Sequence, residues 1–215
     1  RKKMDTACSC HVSEGDVIET MSEKVVDARK TILNLLLSNH KTDCFSCAQN
    51  GRCKLQDYCV EYGVERTTYE GEMTEFPVDD SNPFFTYDPN LCILCHRCVN
   101  TCNKVVGRGA IDTMERGFES SVGTPFGVPI RKSTCESCGN CVEACPTGAL
   151  SSKRRKSFRP WQIDKKVLTT CPHCGTGCQF YLVVKDNKIV DVEPANGPAN
   201  KNLLCVKGRS GSFDL

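Results

Sequence analysis

Residues 92–102 read CILCHRCVNTC and residues 135–146 read CESCGNCVEACP. Both stretches space their cysteines C-x2-C-x2-C-x3-C, through Cys92, Cys95, Cys98 and Cys102 in the first and Cys135, Cys138, Cys141 and Cys145 in the second; Pro146 follows the second run. Three thiolates on one short turning loop can meet three corners of an iron-sulfur cubane, and the fourth corner then needs a ligand from elsewhere. The small residues Gly139, Gly148 and Ala149 suit so tight a wrap, because backbone that passes close to a bulky group has no room for large side chains. Zinc fits this spacing less well, since zinc sites usually pair two C-x2-C knuckles instead of placing a third cysteine two residues further on.

The paired runs resemble those of a bacterial two-cluster ferredoxin, in which the first three thiolates of a run hold one cubane and the fourth crosses to the other. That resemblance implies one 4Fe-4S set of Cys92, Cys95, Cys98 and Cys145, and a second of Cys135, Cys138, Cys141 and Cys102. Asn103 stands after the first run in place of a proline, which removes a turn-fixing residue but no ligand.

Two further clumps flank the runs. Upstream, His40, Cys44, Cys47 and Cys53 give H-x3-C-x2-C-x5-C. A neutral imidazole in place of one thiolate would leave a less negative cluster with a higher potential than an all-cysteine neighbour. His40 also admits a plainer reading. Residues 22–39 carry Val25, Val26, Ile32, Leu33, Leu36 and Leu37 at helical spacing, and a histidine ending that helix would suit its dipole. Downstream, Cys171, Cys174 and Cys178 are completed by Cys205. Between them Phe180 to Val184 and Ile189 to Val192 are β-rich and separated by Asp186 and Asn187, so a hairpin can fold Cys205 back beside the loop. Iron-sulfur and zinc both remain open for this clump.

Composition agrees with an inorganic core. Of 215 residues 18 are cysteine, and once these are set aside the conventional core formers fall below their usual share. Clumped cysteines separated by long cysteine-free stretches are unlike a disulfide scaffold. Lys and Arg number 28 against 26 Asp and Glu, so charge gives no case for nucleic acid. No apolar run approaches the roughly 20 residues of a membrane span, and no apolar stretch follows the basic start as a secretory leader requires. The string Lys153 to Phe158 reads as a solvated basic linker.

Taken together the clumps resemble the N-terminal iron-sulfur region of NAD(P)-linked or electron-bifurcating, molybdenum- or tungsten-dependent formate dehydrogenase α subunits. The carriers are ACSCHVSEG at 7–15, LLLSNHKTDCFSCAQNGRCKLQDY at 35–58, CHRCVNTCNKVVGRGAI at 95–111, and CPHCGTGC with CVKGR between 171 and 209. The first three blocks are also similar to the large iron-sulfur subunit of respiratory complex I and to multi-cluster iron-only hydrogenases. The last block resembles the opening of a molybdopterin oxidoreductase. This resemblance implies that His40, Cys44, Cys47 and Cys53 ligate one 4Fe-4S cluster, and that Cys171, Cys174, Cys178 and Cys205 ligate the one nearest a pterin cofactor. Lys207 would lie between that cluster and the pterin as a cofactor-binding residue in electron passage. His96 and His173 would then be packing residues, because cysteines already fill the ligand shells.

The expected architecture is α+β and multi-module: a C-terminal remnant of a plant-type 2Fe-2S domain (1–20), a His-Cys 4Fe-4S module (21–80), a two-cluster ferredoxin-like domain (81–152), a basic linker (153–165), and the first β-rich segment of a molybdopterin oxidoreductase domain (166–215). Cys8 matches the last cysteine of the 2Fe-2S domain, whose other cysteines are not in this sequence, and the catalytic residues of the family have no positions in it. Both ends read as cut through a domain. The expected function is electron transfer through four 4Fe-4S clusters within a formate dehydrogenase, with no catalytic residue in these 215 positions. A 2Fe-2S cluster through Cys8 and a Mo/W-bis-pterin guanine dinucleotide would belong to a longer polypeptide. The expected partners are diaphorase-type flavin and iron-sulfur subunits using NAD(P), a ferredoxin or hydrogenase, and the catalytic pterin domain, in a reducing cytoplasm where Cys10 and Cys59 stay unpaired. The alternative is a stand-alone electron-transfer subunit of a hydrogenase or bifurcating reductase without its own pterin site.

Overall fold

The computed structural model describes residues 4–211. Residues 1–3 and 212–215, the outer ends of the expected 1–20 and 166–215 segments, lie outside the described residues. Among the described residues the architecture is mixed, with five α-helices and seven short strands in three small antiparallel sheets.

Helix α1 spans Glu23–Ser38 and helix α2 spans Lys54–Tyr62. The periodic face of α1 buries Leu33 and Leu37 against Leu55 of α2 and Val64, while Ile32 and Leu35 face solvent. Gly63 stops α2 in the left-handed region at φ 65°. Its N–H donates to the Val60 carbonyl and that of Val64 to the Cys59 carbonyl, which satisfies carbonyls the helix end would otherwise leave bare.

The middle of the chain repeats itself. Strand β1 (Phe85–Tyr87) pairs with β4 (Leu150–Ser152), and β2 (Asp112–Met114) pairs with β3 (Ser121–Gly123). Helix α3 (Arg97–Asn100) follows the first cysteine run's opening turns and α4 (Asn140–Ala144) those of the second. Phe85, Tyr87, Val99, Ile111, Val122 and Leu150 form a small core against which cysteines from both runs pack. The phenol of Tyr87 closes this core by donating to the Val122 carbonyl.

The last unit is a three-stranded meander of β5 (Lys165–Thr170), β6 (Gln179–Lys185) and β7 (Lys188–Pro194), followed by helix α5 (Val206–Ser210). The expected hairpin is β6–β7. Asp186 and Asn187 turn it with positive φ at both positions, the conformation of a two-residue turn that matches strand twist. Strand β5, not anticipated in the sequence, extends the sheet and leads directly into Cys171.

One expectation is overturned. Residues 153–158 are not a solvated linker: Arg154–Ser157 form a short 3-10 turn, Arg155 is 5% exposed and Phe158 is 2% exposed. Opposite charges decide this, because two carboxylates meet the Arg155 guanidinium and let it leave water.

Candidate iron-sulfur centres

The two runs wrap alike, residue for residue. Leu94 and Ser137, each two places after the first cysteine of its run, take positive φ (51° and 57°). Their amides donate to the Cys92 and Cys135 sulfurs, each at 3.4 Å. His96 and Gly139, each one place after the second cysteine, are also left-handed. Such a conformation costs an L-residue about 1–2 kcal/mol, so Leu94, His96 and Ser137 are held there by the loop they close. The His96 ring is in turn hydrogen-bonded through Nδ1 to the Thr113 hydroxyl at 3.0 Å.

The fourth cysteine of each run lies within electrostatic reach of the other run. Burial pushes the Cys98 thiol up to about 12, and the charges of Cys145, Cys92 and Cys95 add to the rise. Cys92 is pushed up to about 11, chiefly by burial, again with Cys145 and Cys95 as neighbours. In the other run burial raises Cys135, with Cys138 and Cys102 acting on it, and raises Cys141 well above the usual thiol range, with Cys138, Cys135, Cys98 and Cys102 around it. Cys102, Cys135, Cys138 and Cys141 line one apolar cavity. The Ala110 amide donates to Cys102 at 3.4 Å.

In the first module Cys53 is raised by burial, with Cys47 and Cys44 beside it. Cys59 on α2 joins the group, feeling Cys53 and Cys44. His40 sits at the end of α1, 8% exposed, with Nδ1 buried and without a hydrogen-bond partner. Burial holds its pKa below the usual histidine value against the pull of Asp88. The ring is therefore favoured as neutral imidazole, which removes the charge that a dipole-capping role needs and leaves a bare nitrogen. Gly148 of the second run faces this module; a Cβ there would stand 2.5 Å from the Cys47 sulfur.

In the last unit Cys171, Cys174 and Cys205 all act on the Cys178 thiol. The Cys171 amide bonds the Cys178 carbonyl at 2.8 Å, closing the loop. The Thr176 hydroxyl and amide hold Cys174 below the usual thiol range, and the charge of Lys207 on α5 assists. A Cβ on Gly208 would stand 3.6 Å from the Cys171 sulfur.

These features fit metal-sulfur clusters. Thiols within reach of one another's charge, amides aimed at sulfur, an orphaned buried imidazole nitrogen and a glycine, Gly148, where a side chain would strike sulfur suit the surroundings of a cubane. Among the described residues no three His, Cys, Asp or Glu converge on a single-ion position; ligands around a four-iron body stand further apart than those of one ion.

Sequence reasoning missed the ion network that joins the modules. Arg155 donates through Nε to Asp191 on β7 at 2.8 Å and through Nη2 to Glu143 on α4. Arg209 on α5 bonds Glu143 at 2.9 Å, the Cys138 carbonyl at 2.9 Å and Asn140 at 3.2 Å. Asn140 exchanges two further bonds with the Leu204 backbone. Gly139 admits the Arg209 stem, which lies 2.6 Å from where a Cβ would be. The second cysteine run and the terminal cysteine loop are thus clamped together by side chains of which only Arg155 lay in a stretch read as solvated.

Three sequence families match the chain. Residues 29–68 match the NADH-ubiquinone oxidoreductase-G iron-sulfur binding region, 82–151 the ferredoxin-like domain of NADH-quinone oxidoreductase subunit 3, and 164–214 the molybdopterin oxidoreductase Fe4S4 domain. The G 2 polypeptide of the NADH-quinone oxidoreductase of Rhizobium meliloti is 36% identical over 214 residues, covering 98% of this chain and 25% of the relative. The alpha subunit of the NADPH-Fe(3+) oxidoreductase of Geobacter sulfurreducens is 37% identical over 207 residues, covering 96% of this chain and 24% of its own length. A Staphylococcus aureus protein that carries a provisional formate dehydrogenase name is 30% identical over 248 residues, covering 96% of this chain and 25% of the relative. The chain thus spans about a quarter of the length of these relatives. A chain of the NAD+-reducing [NiFe]-hydrogenase superposes with a TM-score of 0.58 at 27% identity, over 62% of this chain and 57% of that one. By sequence and by the arrangement of its cysteines, the chain is a run of three iron-sulfur domains: the NADH oxidoreductase-G region, the Nqo3-type ferredoxin-like domain, and the Fe4S4 domain of molybdopterin oxidoreductases.

Proposed function

We infer that this chain is the electron-conducting segment of a formate dehydrogenase, connecting a Mo/W-pterin site to diaphorase-type flavin and iron-sulfur subunits that use NAD(P), or to a ferredoxin. The observation that supports the electron-transfer part of the reading is that Cys145 acts on Cys92 and Cys98, and Cys102 on Cys135 and Cys141, as exchanged cluster ligands would; formate as substrate is supported by the resemblance to the provisionally named Staphylococcus aureus relative. Bound 4Fe-4S clusters would supply one-electron transfer at four sites. His40, Cys44, Cys47 and Cys53 would hold the first, the two crossed sets the next two, and Cys171, Cys174, Cys178 and Cys205 the fourth. The domain limits at 21–80, 81–152 and 166–215 follow these sets, with 1–20 as the end of a 2Fe-2S domain that includes Cys8.

The protein's own contribution is environmental. Buried thiols are costly to ionise until a cation meets them, so folding and loading are coupled. Amides of Leu94, Ala110 and Ser137 direct partial positive charge at sulfur and favour the reduced state of whatever is bound there. Lys207 places a cation beside Cys174 on the side of the chain that leads to the pterin domain. No general acid, base or nucleophile is assigned. Free thiols and clusters alike suit a reducing cytoplasm; no helix among the described residues is long and apolar enough to cross a membrane.

The test is Cys44→Ala in the full-length enzyme. The substitution removes the first cluster, abolishes transfer to NAD(P) and leaves formate oxidation with an artificial acceptor largely intact. Equal loss of both activities refutes this order. A second reading, a relay in a hydrogenase or NADPH-linked reductase without formate chemistry, is favoured by the hydrogenase superposition and by the higher identity to the NADPH-linked relative. A holoenzyme that reduces artificial acceptors with NAD(P)H but never with formate selects it.

A further inference from the structure

The two cysteine runs share one backbone path and differ at three positions that matter to the terminal unit. Aligned by their cysteines, Gly139, Asn140 and Glu143 of the second run stand where the first has His96, Arg97 and Asn100. All three second-run residues receive one side chain, that of Arg209 on α5. Its stem crosses Gly139, with Cδ 2.6 Å from where a Cβ would be. Its guanidinium donates through Nε to the Cys138 carbonyl at 2.9 Å, through Nη1 to Glu143 at 2.9 Å and through Nη2 to Asn140 at 3.2 Å. The first run is unsuited to such a partner. A histidine stands at the crossing point, with its ring already bonded to Thr113, and Arg97 would set a second cation where Asn140 offers an acceptor oxygen.

Arg209 is tied equally to the other side of the junction. Its amide donates to the Cys205 carbonyl at 3.1 Å, and Arg154 donates to the carbonyls of Arg209 and Ser210 at 3.2 and 2.9 Å, which fixes the end of α5. Asn140 donates to the Leu204 carbonyl at 3.0 Å and accepts from the Leu204 amide at 3.1 Å. The residue before Cys141 is thereby locked to the residue before Cys205. The Arg209 side chain is 11% exposed, so water and salt screen its charge poorly. Arg209 and Arg155 are balanced by Glu143 and Asp191, and removing one member of either sign leaves the junction one unit out of balance.

We propose that Arg209 is a potential-setting residue: held by Gly139, Asn140 and Glu143, it places a fixed positive charge between the second-run and terminal cluster sites and raises the potential of both. The inference rests on the cluster-binding part of the proposed function and not on formate as substrate. A guanidinium keeps its charge at every accessible pH. Cluster potentials respond to net charge nearby and to hydrogen bonds around the ligands, and positive charge favours the arrival of an electron. The effect is greatest at the set of Cys135, Cys138, Cys141 and Cys102 and at the terminal set, whose backbones Arg209 touches, and smallest at the His40 set.

The experiment is an anaerobic EPR redox titration of the full-length holoprotein and of variants of opposite sign, with iron counted in each. The two junction signals are identified by their loss in Cys138→Ser and Cys174→Ser. Arg209→Gln lowers the midpoint potentials of both signals while that of the His40 set stays unmoved, and Arg209→Lys restores most of the loss. Glu143→Gln raises the same two potentials, because it removes balancing negative charge and leaves Arg209 in place. Structural damage alone does not produce shifts of opposite sign at the same two sites. Where Arg209→Gln loses a junction cluster, Glu143→Gln carries the test. Unmoved junction potentials at full iron content overturn the proposal, as do shifts of one sign in both variants or an equal shift at all four sites. Loss of a junction cluster from both variants makes Arg209 a structural clamp and overturns its potential-setting role. A wild-type spectrum without four-iron signals at the Cys138 and Cys174 sets refutes the cluster assignment itself, and this inference with it, before any variant is made.

Discussion

Replacing Arg155 with methionine removes the charge at the centre of the module junction while keeping a side chain of similar length. The Arg155 and Asp191 side chains are 6% and 5% exposed, so solvent does little to screen their interaction. Glu143 is more open and keeps its bond to Arg209 at 2.9 Å, so the substitution orphans chiefly Asp191. Removing one partner of a buried ion pair costs about 3–5 kcal/mol, because the other charge is left without compensation. The cost therefore falls on the bridge from β7 through the 154–157 turn to α4, which ties the terminal unit to the second cysteine run. Urea unfolding of the anaerobic holoprotein, followed by loss of visible cluster absorbance, reads the change as a shift in midpoint at unchanged slope. Arg155→Met is expected to lose about 3–5 kcal/mol. The double variant Arg155→Met, Asp191→Leu loses distinctly less, because both charges leave together. A loss below about 1 kcal/mol in the single variant, or strict additivity in the double, would refute the reasoning, since exposed pairs behave that way.

Other expectations follow from single positions. Cys145→Ser removes the EPR signal of the cluster assigned to Cys92, Cys95 and Cys98 and spares that assigned to Cys135, Cys138 and Cys141; the reverse pattern breaks the crossing. His40→Cys lowers the midpoint potential of the first cluster in a redox titration, because a thiolate adds negative charge where imidazole adds none; an unchanged potential removes His40 from the ligand set. Gly148→Ala lowers iron content at the first cluster, because a Cβ 2.5 Å from the Cys47 sulfur forces backbone apart, and normal iron content shows that the loop can yield. Burial raises the Asp79 pKa, but hydrogen bonds from Ser81 and the Ile130 amide outweigh it and leave it below the usual range. A depressed folded pKa gives stability that is present above the unfolded value, about 3.9, and is lost only as pH falls through the folded value. Asp79→Asn should thus cost about 1 kcal/mol equally at pH 5 and pH 8 in urea titrations; a penalty that fades between those values contradicts the sign.

What the sequence made legible was whatever is written as local spacing. The cysteine runs, the helix over residues 22–39 and the β6–β7 hairpin all depend on neighbours within a few positions, and the structure has α1 at Glu23–Ser38 and the hairpin turning at Asp186 and Asn187. Gly148 was also readable, because a glycine beside cysteines signals close approach, whereas Gly139 makes room for Arg209 from the far end of the chain. What escaped was set by residues far apart. The string from Lys153 to Phe158 has the composition of a surface linker, and only the arrival of Glu143 and Asp191 from two other elements makes burial of Arg155 tolerable. Arg52 gave no signal either, since its position over Phe158 joins residues more than a hundred places apart. Strand β5 is mostly exposed, and without an apolar alternation its sequence did not declare a strand.

The central claim is that four cysteine-rich sets each hold an iron cubane, with Cys102 and Cys145 exchanged between the middle two. An anomalous-difference map of crystals of the anaerobic full-length protein, recorded at the iron edge, tests this most directly. The account predicts four iron peaks in this region: one each at the His40 and Cys171 sets, and two between the crossed runs with Cys145 bound beside Cys92, Cys95 and Cys98. A zinc signal at Cys171, Cys174, Cys178 and Cys205, or Cys145 bound with Cys135, Cys138 and Cys141, would contradict it.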